Sequence, residues 1–141
     1  MTLYLDTSVL VAALTNERET ARVQNWLGGQ APGELAVSEW VATEFSAALS
    51  IKLRMDHIEV THRADALAMF VHLRAENFGT LPITSVEFRT AAAYADQYAL
   101  GLRAGDALHL AICASHGATL CTLDQRLSEA GPNLGVKTVL L

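Results

Sequence analysis

Three short runs, LYL at 3–5, LAV at 35–37 and TVLL at 138–141, are apolar at nearly every position. A strand with one wet face alternates polar and apolar residues, whereas a strand apolar throughout has both faces covered. Stretches with helical periodicity separate these runs. Short buried strands alternating with amphipathic helices mark a parallel sheet covered on both sides. The expected fold is therefore α/β, a three-layer α/β/α sandwich around a short central parallel sheet.

Local signals place the elements. Strands are expected at 2–6, at 35–37, around Pro82-Ile83, at 118–122 and in the closing VKTVLL. Helices are expected from Ser8 to about Leu14, over 19–28, from the Ser38 cap to about Leu53, and from about Ile58 to Glu76. Further helices are expected at about 86–100 and 105–116, then a short one opened by Asp124 and closed by Gly131-Pro132. No repeat, low-complexity tract or long linker interrupts the chain, so residues 1–141 are expected to form a single domain.

Composition narrows the classes. With 51% hydrophobic and 18% charged residues the chain is globular rather than disordered. No apolar run reaches the roughly 18 residues needed to span a bilayer. The opening MTLYLDTSVLVAAL has no basic leader and carries Asp6 within its apolar stretch. A soluble, cytoplasmic protein without membrane attachment is expected. Cys113 and Cys121 match neither CxxC nor a zinc pattern and read as small buried hydrophobes. The five histidines make no HExxH arrangement. The net charge of −5 and the lack of a basic run count against avid non-specific binding of nucleic acid. Eight of the ten basic residues are arginines, however, suited to bidentate phosphate or carboxylate contacts, so a small selective contact surface remains open.

Four acids stand where the chain leaves a strand or runs in a helix that could close over the sheet edge: Asp6 in LYLDTS, Glu44 in TEFSAAL, Asp106 in RAGDALHLA and Asp124 in TLDQRL. In open α/β sheets ligands bind at the carboxyl ends of the strands, near the point where strand order reverses. Each acid also has a plain structural reading. Asp6, Asp106 and Asp124 each sit at a possible helix N-terminus, where a carboxylate accepts orphan N–H groups. Glu44 fits the solvated face of an amphipathic helix. Brought to one edge, the four could hold a divalent metal.

In these contexts the chain resembles the PIN-domain ribonucleases, and most of all the compact VapC-type toxins of bacterial toxin–antitoxin pairs. LYLDTSVLVA resembles their opening strand with its metal-site Asp, VSEWVATEFSAAL the helix that supplies the Glu, and RAGDALHLAICASHGATLCTLDQRL the remainder. The resemblance spans nearly the whole chain in order. It implies that Asp6, Glu44 and Asp106 form an acidic site for Mg²⁺ or Mn²⁺, with Asp124 completing it or helping to hold a second ion. It also implies that Thr7, Ser8 and Thr122 bond to the carboxylates or to metal-bound waters. The activity so implied is endonucleolytic RNA cleavage leaving a 5′-phosphate and a 3′-hydroxyl. The partners implied are a small antitoxin and a second copy in a homodimer.

Several residues carry competing readings. Glu39 is five positions before Glu44 and so points elsewhere on a helix. Asp96 fits either a solvated helix face or the cleft. His109 lies one helical turn after Asp106, as a packed, hydrogen-bonded side chain or as a base. Arg103 is a candidate contact for substrate phosphate, for a partner or for a nearby carboxylate. Trp26 and Trp40 are interface anchors or core residues. Outside the nuclease class, a Mg²⁺-dependent receiver or phosphatase-like phosphotransfer module also places Asp at strand ends. Yet the first strand lacks a DxD pair, and the only lysines are Lys52 and Lys137. A catalytically silent PIN-like binding domain is the remaining alternative.

Overall fold

The computed structural model describes residues 1–141. Five short strands, β1 (Leu3–Leu5), β2 (Leu35–Val37), β3 (Gly79–Thr80), β4 (Thr119–Thr122) and β5 (Thr138–Leu140), form one sheet in the order β3-β2-β1-β4-β5. Every neighbouring pair is parallel. In register, Leu3 faces Leu35 on one side and Thr119 on the other. The chain builds outward from β1 through β2 and β3, then crosses back to lay β4 against the open side of β1. Strand order thus reverses between β1 and β4, which opens a crevice at their carboxyl ends. Asp6 follows β1, and its N–H donates to the carbonyl of Cys121 in β4 at 3.1 Å.

Seven helices surround the sheet: α1 (Thr7–Leu14), α2 (Thr20–Gly28), α3 (Glu39–Arg54), α4 (Val60–Glu76), α5 (Ser85–Asp96), α6 (Ala104–His116) and α7 (Gln125–Asn133). This is the expected α/β/α arrangement. Helix α1 packs with α2, α3 and α4, while α5 packs along α6. Tyr4, Leu5, Leu10, Phe45, Leu49, Leu110, Ile112 and Leu120 are sealed between the layers. The rings of Phe45 and Phe70, 4.7 Å between centroids, join α3 to α4. Trp26 and Trp40 are partly buried against this core. Cys113 and Cys121 are free and buried, as expected, and burial pushes the Cys121 thiol up to about 12. No helix is long and apolar enough to cross a membrane.

Three boundaries differ from expectation, each for a local reason. The third strand is Gly79–Thr80 rather than Pro82-Ile83. Leu81 N–H still donates to Val37 at 2.9 Å, but Pro82 has no N–H with which to continue the ladder. Helix α5 stops at Asp96, and Tyr98–Leu100 forms a separate 3₁₀ turn ending at Gly101 with φ 65°. Helix α7 runs through Pro132 instead of closing there. The acceptor that the missing Pro132 N–H abandons is the Ser128 carbonyl. The Thr138 hydroxyl donates to it instead, at 2.8 Å, so the turn loses little.

Candidate active site

Asp6 is held inside the fold rather than displayed on it. It caps α1, with Oδ1 accepting from Val9 N–H at 3.3 Å and from the Ser8 hydroxyl at 2.5 Å. Oδ2 accepts from the Thr122 hydroxyl at 2.5 Å. The residue is 4% exposed, and burial pushes its carboxyl above the usual range despite these donors. Ser8 Oγ accepts Leu123 N–H and Thr122 Oγ1 accepts Asp124 N–H, both at 3.0 Å. The two hydroxyls therefore bind the end of β4 to the end of β1 through one carboxylate.

Glu44 reaches the same crevice from α3. Its Oε1 accepts from the Thr7 hydroxyl at 2.7 Å and from His109 Nε2 at 2.5 Å. Burial resists its ionisation, but the hydrogen bonds from His109 and Thr7 outweigh that and hold the carboxyl below the usual range. Oε2 has no protein donor and lies against Gly105, where a Cβ would meet it at 2.7 Å. The Trp40 indole nitrogen borders the same spot, buried and without a hydrogen-bond partner.

Asp106 is the third residue of α6, not its cap, which is Arg103. It is half-buried. Burial pushes its carboxyl up, a backbone bond at Arg103 offsets part of this, and the negative charges of Asp124 and Glu44 add to the rise. Asp124 is exposed and caps α7 through a 3.2 Å bond from Leu127 N–H. Arg103 is exposed and forms no ion pair with any acid.

The four acids thus border the β1–β4 switch point, Asp6 buried beneath and Asp124 exposed, with Asp106 near enough to Asp124 and Glu44 to feel their charge. No three His, Cys, Asp or Glu side chains close around a common point tightly enough to hold an ion. The donor set still suits a hard divalent cation. All four acids offer oxygen, no lysine or arginine neutralises them, and Glu44 Oε2 stands free in a niche that a single Cβ would fill. Mg²⁺ keeps most of its waters and needs only one or two direct carboxylates.

The remaining candidates lie elsewhere. Glu39 points outward and pairs with Arg74 at 2.5 Å, and Asp96 is exposed at the end of α5. His109 is buried and hydrogen-bonded, and its partner is Glu44 itself. Sequence reasoning missed Tyr4, Ser38 and Gly105 as parts of the site. A signal existed for Tyr4: a tyrosine in a strand buried on both faces must find a partner for its hydroxyl. A groove of about 530 Å³ is bordered by Thr7, Ser8, Glu19, Arg22 and Leu123, next in sequence to Asp6 and Asp124.

The PIN domain family model matches residues 3–132. No curated protein matches the chain. Among solved structures, FitAcB from Neisseria gonorrhoeae is similar at TM-score 0.68 and 16% identity, covering 97% of this chain and 96% of that one. VapC20 of Mycobacterium tuberculosis, described as a toxin that cleaves the sarcin–ricin loop, aligns at TM-score 0.72 and 16% identity over 92% of this chain and 95% of that one. A toxin–antitoxin complex from Klebsiella pneumoniae aligns at TM-score 0.63 and 22% identity over 99% and 96%. At such identities the likeness speaks for the fold.

Proposed function

Because the chain belongs to the PIN-domain family, we propose that it is a Mg²⁺- or Mn²⁺-dependent endoribonuclease, the toxin of a toxin–antitoxin pair, acting as a single domain. The observation that carries this reading is that Asp6, Glu44, Asp106 and Asp124 border one switch point with no lysine or arginine paired to any of them. Folding does not repay the repulsion and desolvation of such a group, whereas a bound cation does.

Asp106 and Glu44 Oε2 would hold the ion directly, with Asp124 at the solvent side. Asp6, fixed by Ser8 and Thr122, supplies charge from beneath. Thr7 holds Glu44, so that the carboxylates keep their places when RNA arrives. A bound divalent ion supplies an activated water for in-line attack on phosphorus and stabilises charge on the departing oxygen. The products are a 5′-phosphate and a 3′-hydroxyl. Arg103, exposed at the head of α6, is positioned to meet substrate phosphate or a partner's acidic group.

The expected surroundings are the cytoplasm, a homodimer and a small antitoxin. The net charge of −5 suits a basic antitoxin segment, and toxin–antitoxin assemblies of similar fold lend support.

Mapping new RNA 5′-phosphate ends across the transcriptome after brief induction, for wild type and Asp106→Asn, tests the proposal. Ends at a few RNA loops in wild type alone are the expected result. Identical maps from both soluble proteins would demote catalysis in favour of phosphotransfer or silent binding.

A further inference from the structure

Behind Glu44 lies a chain of buried polar groups that runs from the backbone of α3 to the crevice. Val41 N–H donates to Ser38 Oγ at 3.3 Å, Ser38 Oγ and Tyr4 Oη are 2.8 Å apart, and Tyr4 Oη is 2.8 Å from His109 Nδ1. His109 Nε2 then meets Glu44 Oε1. Ser38 and Tyr4 are fully buried and His109 is 3% exposed, so none of them can turn to water for a missing bond.

The direction of every bond follows from the two ends. An ionised carboxylate only accepts, so His109 Nε2 must carry the hydrogen. If Nδ1 carried one as well, Tyr4 would have to donate onward to Ser38 Oγ. Ser38 already accepts from Val41, and its own hydroxyl hydrogen would then be buried with no acceptor. With Nδ1 bare, Tyr4 donates to it, Ser38 donates to Tyr4, and every hydrogen has a partner.

We infer that Ser38, Tyr4 and His109 form a one-way hydrogen-bond chain that fixes His109 as the Nε2–H tautomer, pins Glu44 Oε1, and leaves Oε2 as the one oxygen Glu44 offers a cation. His109 is thus a positioning residue: it acts on the ion only through Glu44, with the Thr7 hydroxyl as the second pin on the same oxygen. The statement about the cation rests on the nuclease reading above, whereas the tautomer does not. The chain also explains a tyrosine in the most buried strand of the sheet, where phenylalanine would otherwise pack as well.

Nitrogen-15 spectra of the metal-free protein, with titration calorimetry using Mn²⁺ alone, decide it. Wild type is expected to show His109 protonated at Nε2 and bare at Nδ1. Tyr4→Phe, which keeps the ring and removes only the donor to Nδ1, should show the Nδ1 resonance shifted from its hydrogen-bonded wild-type position and bind Mn²⁺ roughly tenfold more weakly. His109→Leu should lose about 10–100-fold in affinity, and His109→Gln, whose amide can still donate to Glu44, should recover most of it. A wild-type spectrum with Nδ1 protonated, or unchanged Mn²⁺ affinity in Tyr4→Phe, would overturn the inference. If His109→Leu does not fold, the wild-type spectrum and Tyr4→Phe still decide. Absence of Mn²⁺ binding by wild type would instead overturn the nuclease reading and leave the tautomer result standing.

Discussion

Gly105 and Glu44 approach so closely that a Cβ at position 105 would stand 2.7 Å from Glu44 Oε2 and 3.5 Å from the Trp40 indole nitrogen. The free oxygen of Glu44 keeps its place because residue 105 has no side chain. Gly105→Ala should therefore swing Glu44 aside and lower Mn²⁺ affinity by about tenfold or more. Its thermal stability should hardly change, since the flexible Glu44 end yields and alanine gains up to about 1 kcal/mol of helix propensity. Calorimetry and a melting curve on the same sample check both halves. Wild-type Mn²⁺ affinity in the variant would remove Glu44 from the site.

Asp106→Asn tests the acidic centre through stability. Burial, with the charges of Asp124 and Glu44 adding to it, raises the Asp106 carboxyl above its ordinary value. A carboxyl raised on folding costs stability once ionised; the cost is absent below the unfolded value of about 3.9 and complete above the raised one. Metal-free Asp106→Asn should thus melt above wild type at neutral pH, by a small margin because partial exposure screens the repulsion. The margin should close as pH falls toward about 4. Added Mn²⁺ should stabilise wild type only, and an equal shift in both proteins would show that Asp106 does not bind the ion.

Thr122→Val removes the donor to Asp6 Oδ2 and the acceptor for Asp124 N–H. The stranded buried groups should cost about 1–3 kcal/mol, read from the urea midpoint. A midpoint equal to that of wild type would mean that the end of β4 is not held through Asp6.

A control lies outside the site. Thr84 and Glu87 form a capping box on α5, and the Thr84 hydroxyl, followed by its backbone N–H, holds the Glu87 carboxyl down at about 2. A lowered carboxyl contributes stability that is present above its unfolded value and lost as pH falls through the folded one. The stability gap between wild type and Thr84→Val should therefore be widest near neutrality and narrow between about pH 4.3 and 2. RNA cleavage at neutral pH should be the same in both, and a loss of cleavage would place α5 in the catalytic machinery.

The sheet and two of the four acids were legible in the sequence because their signals are local. LYL is an apolar run stopped by an acid, and ATLCT is a strand-like run with an acid two residues beyond it, which places both acids at one sheet edge. The third strand was misplaced because β3 is only two residues long and takes its register from β2, so nothing in its own residues announces it. Pro132 misled for a similar reason: the hydroxyl that replaces its missing donor arrives from Thr138, in another element. Glu44 had no local mark beyond family resemblance. Its contacts come from Thr7 and His109, 37 and 65 residues away, and only the folded chain brings such partners together.

The partnership of β1 with β4 has a consequence for the order of synthesis. Asp6 leaves the ribosome early, but the hydroxyl that grips its second oxygen belongs to Thr122, 116 residues later. Until β4 emerges, the open side of β1 has no neighbour and Asp6 is only half held. Asp106 and Asp124 also lie in that late stretch. Whatever chemistry the centre performs is therefore withheld until β4 has docked against β1.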